Sequence, residues 1–171
     1  QCAPFSHSTR RSHEKAVKRV IMYLQGTKNE GLLIRPTEHL QLDLYADADF
    51  AGLWNSKESV DPICTKSRTS FIITIGKVPL VWKYKLQTET ALTTMESKYM
   101  ALSTSMQELV YMRLLFDEVQ NILELEQRSN TALSRLFKDN DACRKLASSS
   151  MPKITPRSKH IAIKYHWFQE Q

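Results

Sequence analysis

No apolar run in these 171 residues approaches the eighteen or so needed to span a membrane. The N-terminus carries no basic-then-apolar leader, so no secretory signal is expected. The expected setting is therefore intracellular, in the cytoplasm, with no membrane partner. Cysteine is scarce. Cys2, Cys64 and Cys143 are odd in number and far apart, which excludes a disulfide framework and zinc-type spacing and leaves reduced thiols. Internal repeats are absent, and no basic run is long enough to form a disordered arm. Ser148, Ser149 and Ser150 have no nearby base arrangement, so a serine nucleophile is not expected. His160 and His166 stand six apart rather than four, which argues against joint metal ligation and for structural or phosphate-facing roles.

What is present fits one domain, or one domain with a short appendage. Hydrophobic residues make up 42% and charged residues 25%, enough for an ordinary core. Because the chain starts at Gln1 rather than Met, it reads as a fragment or a processed piece. The net charge of +6 suits a nucleic-acid partner. Basic residues concentrate in Arg10–Arg19, Lys77–Lys85 and Lys153–Lys164.

Ser12 is placed as an N-cap, with Val17, Val20, Ile21 and Leu24 at helical spacing and Gly26 closing a basic amphipathic helix. Leu32 to Pro36 is a short apolar segment. Leu40, Leu42, Leu44 and Ala46 alternate with Gln41, Asp43, Tyr45 and Asp47, the pattern of a half-buried strand. Residues 52–68, with Pro62, read as a loop. Phe71–Ile75 and Val78–Trp82 read as strands joined by Gly76-Lys77, a type II′ hairpin. A long helix is expected from Thr94 to about Glu124, burying Tyr99, Leu102, Met106 and Leu109. After a polar linker over 125–131, Leu133, Arg135, Phe137 and Asp139 alternate as a fourth strand. A short helix follows over Asp141–Ala147, and Ser158 opens a final helix to Gln171.

Asp47 ends the first strand and Asp139 the fourth. Side by side in a mixed sheet, both carboxylates would come within reach of one divalent cation such as Mg²⁺, which takes oxygen ligands. Paired cations of that kind stabilise both oxygens in phosphodiester cleavage. The alternative makes Asp139 part of the N-cap region of the next helix, with Asn140 and Asp141.

Seven segments in order resemble the ribonuclease H region of copia-type retrotransposon Pol polyproteins. Ser12–Arg19 and Tyr23–Thr27 resemble the helix linking reverse transcriptase to ribonuclease H. Tyr45-Ala46-Asp47-Ala48-Asp49-Phe50-Ala51-Gly52 is similar to Y-S-D-A-D-W-A-G, and Lys66–Ser70 to K-S-T-S. Val81-Trp82 with Gln87 resembles S-W-x-S-K-K-Q, and Thr93–Leu102 resembles S-S-T-E-A-E-Y-x-A-L. Asp139-Asn140 resembles the start of D-N-x-S-A. Ser158–Ile161 with Tyr165-His166 is similar to R-T-K-H-I-D-I-R-Y-H.

The resemblance implies a mixed-sheet α/β ribonuclease H-like fold, C-terminally truncated. Residues 1–35 would be the connector helix and 36–171 the ribonuclease H-like domain. It implies an ancestral two-metal hydrolysis of the RNA strand in RNA/DNA hybrids, with Mg²⁺ as cofactor. The hybrid and the reverse transcriptase portion of the same polyprotein would be partners. Lys83, Lys85, Gln87, Asn140, Arg157 and Lys159 would face nucleic acid, with Trp82 beside the two lysines lining a hybrid groove.

Two of the family's four carboxylates are missing. Asp47 matches the first and Asp139 the third. The second is replaced by Lys98. Glu96, two residues away, is turned by about 200° on the helix and does not substitute. The fourth falls either at Ala162 or, as topology favours, beyond Gln171. A cation at position 98 repels Mg²⁺ by several kcal/mol at about 4 Å and effective ε near 20. Lys98 would instead pair with Asp47 or Asp139 and take the metal's place, leaving an impaired enzyme. The rival expectation is a non-catalytic nucleic-acid-binding or polymerase-supporting relic.

Overall fold

The computed structural model describes residues 9–31, 34–35, 41–124, 134–148 and 167. The chain divides into two units, Gln1–Ile34 and Arg35–Gln171.

The first unit contains helix α1, Arg11–Gly26. It starts earlier than the Ser12 N-cap expected from composition: Arg10 is the capping residue, and its backbone N–H donates to His13 Nδ1 at 3.1 Å. Ser12 therefore lies inside the first turn. Val17, Val20, Ile21 and Leu24 form the expected stripe, but all four are exposed. Amphipathic spacing says which face can be buried, not whether a partner is present.

The second unit is a mixed α/β arrangement consistent with a ribonuclease H-like fold. Its strands are β1 (Leu42–Asp49), β2 (Arg68–Ile75), β3 (Val78–Leu86) and β4 (Arg135–Phe137). They lie in the order β3-β2-β1-β4, with β1 antiparallel to β2, β2 antiparallel to β3, and β1 parallel to β4. The register pairs Asp47 with Ser70 and Tyr45 with both Ile72 and Phe137.

Alternation in β1 works as read. Leu42, Leu44, Ala46 and Ala48 are buried, while Tyr45, Asp47 and Asp49 are exposed. The buried row meets Phe71 and Ile73 of β2 and Leu109 of the long helix α3, Thr94–Ile122. Tyr99 and Leu102 of α3 pack on Cys143 of a short helix, Asp141–Ser148. Met106 is partly buried between the two clusters. The interval 52–68 is less featureless than a loop. It contains a 3₁₀ turn at Ser56–Glu58 and helix α2, Pro62–Thr65, capped by the Asp61 carboxylate, which accepts from the Ile63 N–H at 2.9 Å. In chain order the helix Asp141–Ser148 is α4.

The β2–β3 hairpin differs from expectation. Gly76 has φ 53° and Lys77 φ 71°. Two positive values make a type I′ turn rather than II′, which takes a positive φ at its first central residue only. Across from Pro79 the register shifts between Ile73 and Thr74, and proline is tolerated at such an outer-strand or bulge position. Leu133, the linker over 125–131 and the helix expected from Ser158 lie outside the described residues. No helix among the described residues is long and apolar enough to cross a membrane.

Candidate functional site

Parallel pairing of β1 with β4 sends both strands out of the sheet at the same end. Asp47 and Asp139 each stand two residues beyond the register pair Tyr45–Phe137, so they emerge as neighbours. Beneath them the Tyr45 and Phe137 rings stack at 4.6 Å with planes 8° apart. The two carboxylates, the two rings, Ser70 and Lys138 line an open cleft of about 610 Å³.

Lys98 reaches this point from the second turn of α3. Its Nζ donates to Asp139 Oδ1 at 2.7 Å and Oδ2 at 2.6 Å, and lies 3.0 Å from Asp47 Oδ1. The lysine side chain is only 12% exposed, against 58% for Asp47 and 64% for Asp139. Burial works to lower the Lys98 pKa, but hydrogen bonds to Asp139 and Asp47 outweigh it and hold it above the ordinary lysine value. The same hydrogen bond holds the Asp139 carboxyl below the usual carboxylate range. Lys98 is thus not a solvated surface lysine.

Glu96 sits elsewhere. Its Oε2 accepts from the Leu92 N–H at 2.7 Å, while the Thr93 hydroxyl accepts from the Glu96 N–H at 3.1 Å. This pair of bonds satisfies donors at the start of α3 and turns Glu96 away from Asp47. Asn140 stands next to Asp139 and supplies the cap of the following helix. Its Oδ1 accepts from the Cys143 N–H at 2.8 Å, so Asn140 caps α4 and Asp139 is left to Lys98.

Two groups were not marked by any sequence signal. Asp43 sits at a polar-face position of β1 yet is only 3% exposed. Arg135 covers it with a fork of two hydrogen bonds, both 2.8 Å, across the β1–β4 register pair. Lys138 donates its Nζ to the Ala46 carbonyl at 2.7 Å. Burial lowers its pKa and the Lys98 charge adds to this, while the charges of Asp47 and Asp139 act in the opposite sense. Only the partner across a strand pair could have revealed either role, and sequence spacing does not contain it.

Of the described residues expected to face nucleic acid, Lys83, Lys85 and Gln87 line one cleft, while Asn140 caps α4. Lys83 donates to Glu108 of α3 at 2.8 Å. With Lys85 and Gln87 it lines a small cleft of about 140 Å³ on the helix-covered side, beside Met100 and Thr104. Gln87 is buried and donates to Thr69 Oγ1 and the Ser97 carbonyl, tying β2 and β3 to α3. Trp82, 71% exposed, alternates with Lys83 and Lys85 along β3 and so faces the opposite side of the sheet. One groove cannot be lined by all three. Arg157, Lys159, His160 and His166 lie outside the described residues. Trp167 donates its indole N–H to Ser103 Oγ at 2.9 Å.

Among the described residues no group of three or more His, Cys, Asp or Glu is placed to hold a metal ion. Asp47 lies two residues before the end of β1 at Asp49 and Asp139 two residues past the end of β4, and an ammonium group already joins them. As arranged, this donor set does not fit Mg²⁺.

No family model and no solved structure matches the chain. It is 29% identical over 167 residues, 98% of its length, to the retrovirus-related Pol polyprotein from transposon RE1 of Arabidopsis thaliana. It is 29% identical over 166 residues to the corresponding polyprotein from transposon TNT 1-94 of Nicotiana tabacum, covering 97% of this chain. A shorter similarity, 34% over 101 residues, links 59% of the chain to 66% of the secreted RxLR effector protein 161 of Plasmopara viticola. The chain spans 10% and 11% of the two Pol relatives, about a tenth of their length. Similarity at this level, running nearly end to end, supports a Pol-derived region of a retrotransposon polyprotein.

Proposed function

We propose that this chain is the ribonuclease H-like region of a copia-type Pol polyprotein, and that it holds RNA/DNA hybrid without cutting it. The observation that carries the reading is the pair of strand-end carboxylates on parallel neighbours β1 and β4, joined by Lys98 rather than by a metal. The strand arrangement supports the ancestral hydrolysis of the RNA strand. The ammonium in the pair supports its loss here, because a divalent cation would meet a like charge at contact distance. Recognition would rest on the hybrid's shape and 2′-hydroxyls rather than on base edges. The exposed apolar stripe of α1, Val17, Val20, Ile21 and Leu24, is the surface on which the reverse transcriptase portion of the polyprotein would sit.

The test is a labelled RNA/DNA hybrid followed by anisotropy and by denaturing gel, with Mg²⁺ and with EDTA. The expected result is binding that does not require Mg²⁺, falls steeply with salt through counterion release, and yields no cut RNA. Mg²⁺-dependent cleavage of the RNA strand, or binding indifferent to salt, overturns the proposal.

A further inference from the structure

We infer that Lys138 is a second resident cation of this site, so that the carboxylate pair is closed to divalent cations twice, once by each ammonium group. Lys138 precedes Asp139 in the chain, and its Nζ is bonded at 2.7 Å to the carbonyl of Ala46, the residue before Asp47. It therefore bridges the seam between β1 and β4 at the end where the carboxylates emerge, and it lines the same cleft. Lys98 approaches that seam from α3. Lys138 thus places a second positive charge beside the two carboxylates, and with Lys98 it balances their charge before any metal arrives. A divalent ion entering the site would gain no net attraction and would have to displace one ammonium from its oxygens.

The geometry also separates the two lysines. Lys98 occupies the carboxylate oxygens themselves, whereas Lys138 is anchored to backbone and acts through its charge. Replacing Lys98 alone therefore frees the ligands but leaves a cation beside them. Removing both cations therefore gives a tighter divalent site than replacing Lys98 alone. The inference rests on the strand-end geometry and not on the ribonuclease H reading.

The test uses Mn²⁺ as the probe, with free ion followed by electron paramagnetic resonance and no nucleic acid present. Four proteins are compared: the unmodified chain, Lys98→Glu, Lys138→Met and the double variant. Methionine keeps the aliphatic stem of Lys138, and circular dichroism with thermal melting establishes folding. Lys138→Gln is the substitute if the methionine form does not fold. The unmodified chain and Lys138→Met are expected to bind no Mn²⁺ at millimolar concentration. The double variant is expected to bind at least fivefold more tightly than Lys98→Glu. A smaller ratio, or Mn²⁺ binding by the unmodified chain, overturns the inference. Since no hybrid is used, failure here leaves the outcome of the cleavage test unaffected.

Discussion

Replacing Lys98 by methionine isolates the contribution of its ammonium, since the stem is retained and only the charge is removed. The wild-type group makes three contacts of 2.6, 2.7 and 3.0 Å to two carboxylates. In bulk water a unit pair at about 4 Å is worth about 1 kcal/mol, and about 4 kcal/mol at effective ε near 20. The carboxylates are 58% and 64% exposed, so solvent screening places each pair near the lower figure, at roughly 0.5–1 kcal/mol. Two pairs give about 1–2 kcal/mol, a fall of about 2–8 °C in midpoint for a chain of this size. Urea denaturation of both proteins should show that loss at low salt. The gap should shrink in about 1 M NaCl, where the screening length is near 3 Å. Adding Asp139→Asn to Lys98→Met should cost less than the sum of the single changes, because the two share one interaction. A methionine variant as stable as the parent at low salt, with the same salt response, would refute the assignment of Lys98 as the tie between α3, β1 and β4.

Lys77 occupies the left-handed region at φ 71° without being glycine. Lys77→Gly should stabilise the protein by about 0.5–1 kcal/mol in urea melts, the strain relief outweighing the added chain entropy. Cys64 and Cys143 are buried, and burial pushes the Cys143 thiol pKa up. Of the three cysteines, no more than one should react with a disulfide reagent until denaturant is added. Burial also raises the Tyr99 hydroxyl pKa in the folded state. Its contribution is full below the unfolded value near 10 and is lost as pH rises above it. Thermal midpoints from pH 8 to 11 should therefore decline less steeply for Tyr99→Phe than for the parent.

Period-two and helical patterning carried the strands and the long helix, because a face that must be buried leaves its mark on every second or every third-to-fourth residue. Leu42, Leu44 and Ala46, and Tyr99 and Leu102, are where their spacing says. What patterning cannot carry is the identity of the neighbour. Ser12 has the chemistry of a cap, yet the helix begins before it. Asp43 reads as a solvent-facing carboxylate and is buried under Arg135, a residue 92 positions away. Gln87 reads as a polar contact for ligand and is an internal tie. Lys98 was legible as a departure from a motif. Lys138, one position from Asp139, was not, since its meaning depends on the carbonyl it meets on another strand. The turn type escaped because Gly76 alone does not decide whether the following residue also takes a positive φ.

The proline in β3 has a consequence for the chain in concentrated solution. Among the described residues β3 is one outer strand of the sheet and β4 the other, and an outer strand is where a second molecule could add by backbone pairing. Pro79 offers no N–H on β3, and the register shift opposite it bends the ladder at the same point. At the other margin β4 has only three residues, too few for a stable intermolecular ladder. Among the described residues the sheet is therefore poorly suited to growing by strand addition at either side, a safeguard against self-association into fibrils.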